Sequence, residues 1–148
     1  MKYTYEYPRP MVTVDCVIFT KDTNELLLIK RKNDPYKDMW CFPGGYVDID
    51  ENLKDAANRE LYEETGLKNI RLKQLKTFGS INRDPRGRTI SVVFFGFSDT
   101  KEIESGDDAK DADWFDIQGL PDLGFDHSEI LKCAIKMLYW DYNVDFED

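Results

Sequence analysis

Three glutamates dominate the chemistry open to this chain. Glu60, Glu63 and Glu64 fall within the run Gly45 to Leu67, GYVDIDENLKDAANRELYEETGL, beside Glu51, Arg59 and a closing Gly66. In a helix, positions i, i+3 and i+4 lie on one side, so the three carboxylates share a face. Like charges at that spacing destabilise a helix unless something positive stands between them. A divalent cation is the simplest such charge, and hard carboxylate oxygens suit Mg2+ or Mn2+.

The spacing within this run also carries a resemblance. Gly45, five residues, Glu51, seven residues, then Arg59, Glu60, Leu61, Glu63, Glu64, Gly66 and Leu67 match the Nudix hydrolase signature at every fixed position. The chain therefore resembles that family, whose loop-helix-loop binds Mg2+ and directs water at a nucleoside diphosphate linked to another group. Carried over by position, the resemblance implies Glu60, Glu63 and Glu64 as catalytic metal ligands and the Gly44 carbonyl as a backbone ligand. It implies that Glu51 and Arg59 pair and brace the loop against the helix, supporting the site from behind. Many relatives add an acid shortly before a tryptophan. Here Asp107 and Asp108 precede Trp114, and Asp108 is taken as a further metal ligand.

Elementary chemistry agrees. A diphosphate repels an incoming nucleophile until cationic charge neutralises its oxygens, and a bound Mg2+ also acidifies the attacking water. A carboxylate within hydrogen-bond reach can then take the proton. Glu60 and Glu64 are both candidates for that base.

Substrate choice must come from outside this run. Arg83-Asp84-Pro85-Arg86-Gly87-Arg88 resembles a segment common among ADP-ribose pyrophosphatases, as do Tyr7-Pro8-Arg9-Pro10, Gly106–Ala109 with Trp114-Phe115, and Phe125-Asp126-His127. Arg83 and Arg86 can hold phosphate or ribose oxygens through charge-assisted bonds. Phe125, Tyr3 or Tyr5 can stack on adenine. The expected reaction is hydrolysis of ADP-ribose to AMP and ribose 5-phosphate. Two other readings use the same signature: a hydrolase that clears unusual nucleoside triphosphates, and an ADP-ribose sensor. Some sensors of this kind carry an appended winged helix; only six residues follow Tyr142, so none is expected here. His127, the lone histidine, sits in a helix cap and reads as structural or as a substrate-edge residue.

The elements that must position these groups follow from periodicity. Val12, Val14, Cys16 and Ile18 alternate with Thr13 and Asp15, and Glu25–Lys30 follows a turn, so the two predict a β-hairpin. Pro43-Gly44-Gly45 is expected to interrupt regular structure. A helix is expected to start near Asp50 to Asn52, bury Leu53, Ala57 and Leu61, and stop at Gly66. Strands are expected near Ile70–Phe78, Thr89–Ser98 and Ala112–Asp116. Asp126 to Glu129 reads as a capping box before a last helix that runs to about Tyr142. The order implies an α/β sandwich with a mixed β-sheet between helices, as the Nudix resemblance also implies. Trp40, Trp114 and Trp140 read as core residues.

A chain of 148 residues fits one domain, residues 1–148. Its net charge of −9 argues against a generic nucleic-acid binder. The distribution says more. Residues 45–67 carry seven acids and two bases, 68–90 seven bases and one acid, and 99–116 eight acids and two bases. A cationic segment between two acidic ones suits a metal together with a phosphate-bearing small molecule. No apolar run reaches the roughly 20 residues of a membrane span, and the start MKYTYEYPRP lacks a signal-peptide core, so the cytoplasm is expected. Cys16, Cys41 and Cys133 are scattered and read as reduced thiols. The Tyr3-Thr4-Tyr5-Glu6-Tyr7 start is compatible with a homodimer contact or with an edge strand of a monomer.

Overall fold

Alternation in the first apolar run sets the middle of the molecule. In a computed structural model describing residues 2–106 and 109–142, strand β1 (Met11–Thr20) turns Val14, Cys16 and Ile18 to one face and Val17 and Phe19 to the other. All five are fully buried. On one edge, β1 runs parallel to β6 (Thr89–Ser98), in register from Met11↔Thr89 to Thr20↔Ser98. Strand β5 (Lys73–Phe78) closes that side, antiparallel to β6.

The other edge of β1 is shared. Near its end, Phe19 pairs with Leu26 of β2 (Glu25–Arg31) in the expected hairpin. Near its start, Thr13, Val14 and Asp15 pair with β4 (Gly44–Tyr46). Strand β2 also pairs with β3 (Trp40–Cys41) and β7 (Ala109–Asp116). Strands β2 and β4 thus use different halves of one edge of β1.

Helix α1 (Leu53–Thr65) lays Ala56, Ala57 and Leu61 on the Val14–Cys16–Ile18 face. Helix α2 (His127–Tyr142) lays Ile130, Leu131, Ala134 and Leu138 on the Val17–Phe19 face, with Phe42 and Phe95. Burying a side chain the size of leucine contributes about 1.5–3 kcal/mol, so each helix is held mainly by its apolar face. The result is a seven-stranded mixed sheet between two helices, the sandwich the sequence implies.

Several local expectations are corrected. Gly44 and Gly45 begin β4 instead of interrupting regular structure, because a Cβ on Gly44 would collide with the Val14 carbonyl and the Asp15 carboxylate. Leu53 is 38% exposed; it lies in the first turn, short of the sheet, and Ala56 takes its place in the core. Trp140 is 70% exposed near the end of α2, whereas Trp114 is buried and Trp40 packs edge-on to Phe115. Asn52 occupies the cap of α1 without a capping bond and donates to Asp55 instead. Gly66 ends α1 as expected, with φ 78° and its N–H bonded to the Tyr62 carbonyl. The three cysteines are free thiols. Among the described residues, no helix is long and apolar enough to cross a membrane.

Candidate active site

The acidic wall is built by α1 and the strand beside it. Glu64, 5% exposed, accepts the Gly44 N–H at 2.8 Å and so ties the start of β4 to the helix. A Cβ on Gly45 would collide with the Glu60 carboxylate, so glycine there keeps the space in front of Glu60 open. Arg59 gathers the remaining acids. Its Nε and Nη2 bind the two Glu51 oxygens at 2.6 and 2.9 Å, and Nη2 also binds the Tyr46 carbonyl at 3.0 Å. Its Nη1 stands 2.9 Å from Glu60 and 3.2 Å from Glu63. The Arg59 bonds hold the Glu51 carboxyl down to a pKa of about 2.

Among the described residues, no three acids, histidines or cysteines form a closed metal cage. The residues nonetheless fit a small hard cation. The donors are carboxylate oxygens, Glu60 and Glu63 already face one cationic nitrogen, and Mg2+ takes few protein ligands, completing its shell with water and phosphate.

The floor comes from β1, β6 and the start of α2. Asp15, at 9% exposure, accepts a 2.5 Å bond from the Ser91 hydroxyl. His127 Nδ1 accepts the Phe42 N–H at 3.0 Å, which leaves the ring proton on Nε2, 3.7 Å from Asp15 Oδ1. Burial pushes the two groups in opposite senses: Asp15 up to about 7, with Ser91 opposing in part, and His127 down to about 3. His127 also stacks on Phe42, with centroids 4.7 Å apart.

The basic wall comes from the loop before β6 and from the residues flanking α2. Arg83, its side chain 4% exposed, makes a bidentate pair with Asp126 at 2.9 and 2.7 Å. This corrects the capping-box expectation: Asp126 sits before α2, but both its oxygens are taken by a guanidinium 43 residues away. Arg86 binds buried Asp84 at 3.1 and 2.7 Å and lies 5.2 Å from the Tyr46 ring and 5.4 Å from Phe125. Burial acts against the Asp84 charge, yet the bonds from Arg86 outweigh it and hold the carboxyl below its ordinary range.

These walls enclose a cleft of about 690 Å³. Residues 9–133 of the chain match the NUDIX domain family. The chain belongs to the Nudix family. An ADP-ribose pyrophosphatase from Methanocaldococcus jannaschii is 47% identical over 126 residues, covering 85% of this chain and 73% of that protein. The ADPR responsive transcriptional repressor NtrR of Acinetobacter baylyi is 39% identical over 140 residues, covering 90% of this chain and 56% of the repressor. Among solved structures, the NUDIX domain of Shewanella oneidensis NrtR complexed with ADP ribose is similar at a TM-score of 0.81 and 30% identity. That match covers 89% of this chain and 90% of that one.

Seen in this Nudix cleft, Gly44, Glu60, Glu63, Glu64, Arg83, Arg86 and Phe125 all line one space, while Glu51 stands behind Arg59. Asp107 and Asp108 lie outside the described residues. Tyr3 and Tyr5 stack on each other at 6.2 Å and are not part of the cleft wall. Asp15, Arg31 and Tyr46 line the cleft and were missed. Of these only Asp15 left a local trace, as the one charged residue of its strand.

Proposed function

We propose that this Nudix chain hydrolyses ADP-ribose to AMP and ribose 5-phosphate with Mg2+ or Mn2+ bound. The observation that carries this reading is the convergence of the signature carboxylates and the Arg83–Arg86 loop on one cleft. The 47% identity to an ADP-ribose pyrophosphatase supports the same substrate. Glu60, Glu63, Glu64, the Gly44 carbonyl and Asp108 are the proposed metal ligands. When bound, the cation supplies neutralisation of the diphosphate oxygens and a lowered pKa for the attacking water.

The protein's own groups do the rest. Glu60 and Glu64 are the proposed acceptors of the water proton, Glu64 being fixed by its bond to Gly44. Glu51 and Arg59 brace the acidic wall. Arg86 offers charge-assisted bonds to phosphate or ribose oxygens, and Arg83 fixes Asp126 and the entry to α2. Phe125 contributes an aromatic face at the same wall. One domain over residues 1–148, residence in the cytoplasm, no nucleic-acid partner and a homodimer contact through the tyrosine-rich start complete the proposal.

A hydrolysis screen tests it, with ADP-ribose, dinucleotides, nucleotide sugars and nucleoside triphosphates assayed with and without Mg2+. Metal-dependent AMP and ribose 5-phosphate from ADP-ribose are expected. Preferential release of a nucleoside monophosphate and pyrophosphate from triphosphates would sink the reading. The likeness to an ADPR responsive repressor favours one second reading, a binding protein without turnover. Tight ADP-ribose binding with no metal-dependent hydrolysis would establish it.

A further inference from the structure

Four arginines line the cleft, and three have carboxylates of their own. Arg59 is held by Glu51, Glu60 and Glu63, Arg83 by Asp126, and Arg86 by Asp84. Arg31, the last residue of β2, forms no ion pair with a carboxylate among the described residues. Its Nε donates to the Pro35 carbonyl at 2.6 Å, and its guanidinium lies 5.1 Å from the Phe125 ring centroid. Its backbone is fixed on both sides: the Arg31 N–H donates to the Met39 carbonyl, and its carbonyl accepts the Asp38 N–H, both at 2.9 Å.

The side chain is thus aimed before any ligand arrives. A partly buried cation is costly when no anion compensates it, and a planar guanidinium matches a phosphate through two parallel bonds. Phe125 carries Arg31 and Arg86 together, but the Arg86 charge is answered by Asp84. We propose that Arg31 holds phosphate oxygens of the substrate, as a binding and specificity residue with Phe125 as its platform. This rests on the reading of the cleft as a diphosphate hydrolase, but not on ADP-ribose being the substrate.

Such a contact exists in the ground state as well as the transition state, so its loss raises KM and leaves kcat nearly unchanged. Charge-assisted bonds of this kind are worth roughly 10- to 100-fold in affinity. The test uses the full chain with Arg31→Met, Arg31→Lys and Phe125→Leu. Steady-state kinetics with the substrate from the screen are read beside calorimetric binding of inorganic pyrophosphate and of uncharged adenosine. Arg31→Met should raise KM and weaken pyrophosphate by a similar factor, about 10- to 100-fold, with adenosine binding unchanged. Arg31→Lys should recover part of both, and Phe125→Leu should give a smaller shift of the same kind. Lys21→Met, which removes equal charge at an exposed pair with Asp99, should change neither.

Pyrophosphate affinity within about twofold of the unaltered protein, or a fall in kcat at constant KM, would overturn the assignment. Should Arg31→Met fail to fold, Arg31→Gln keeps a polar stem and answers the same question. Because pyrophosphate binding does not depend on ADP-ribose, a failed substrate reading and a failed Arg31 assignment give different results.

Discussion

The two walls of the cleft handle charge in opposite ways. On the acidic wall one guanidinium, Arg59, serves Glu51, Glu60 and Glu63, while Glu64 is satisfied by a backbone N–H. On the basic wall each of two arginines has a carboxylate to itself, Arg83 with Asp126 and Arg86 with Asp84. The first wall is left with surplus negative charge, which suits a cation that comes and goes with substrate. The second, Arg31 apart, is internally balanced, which suits a rigid frame. Reactivity and shape are thereby assigned to different sides of one space.

The largest test of that division is Glu64→Gln. It keeps an acceptor for the Gly44 N–H but removes the charge, so the fold should survive while kcat falls roughly 10²- to 10⁴-fold. A matching loss of thermal stability would mean Glu64 belongs to the frame. Asp126→Asn probes the other wall. It leaves the nearly buried Arg83 charge uncompensated, and unfolding free energy should drop by about 3 kcal/mol in denaturant titration. A variant as stable as the parent would remove the frame role.

Glu51→Gln should give an intermediate result, a loss of about 10- to 100-fold in metal affinity or turnover, because it loosens Arg59 without touching the reacting groups. Metal titration of activity reads it directly. The smallest effect concerns pH. His127, with a folded pKa of about 3 against an ordinary 6.5, favours folding above pH 6.5 and loses that contribution as pH falls. Asp15, at about 7 against 3.8, favours folding at low pH and loses its contribution as pH rises towards 7. Between about pH 4 and 6.5 the two slopes oppose. Asp15→Asn removes one of them, so its unfolding free energy should climb more steeply with pH there than that of the parent. Parallel curves would show that Asp15 contributes no such slope.

Much of the acidic wall was legible because its parts are neighbours in sequence. Helical spacing put Glu60, Glu63 and Glu64 together, Gly66 marked the stop, and the Glu51–Arg59 pair followed from the signature. Strand β6 was expected at Thr89–Ser98 and found there, since its β-branched and aromatic run is buried on both faces. The basic wall was less legible because its partners are distant. Asp126 looks like a helix cap within its own segment, and only the fold reveals Arg83 beside it. Arg31 ends an ordinary strand, and nothing local says that no acid among the described residues pairs with it. Leu53 has the right type and period for the core yet lies in the first turn of α1, and Trp140 follows buried Leu138 by two residues, on the far side of α2 from its apolar stripe.

The bond from Phe42 to His127 joins residues 85 apart and links the segment between β3 and β4 to the last helix. Closing so long a loop is entropically costly, so this contact should form late in folding. The acidic helix docks on β1, which is nearer in sequence, and can therefore pack earlier. A floor beneath it requires the final helix to have docked. Appearance of turnover during refolding is therefore a clock for the last step, and should lag behind the recovery of helical signal.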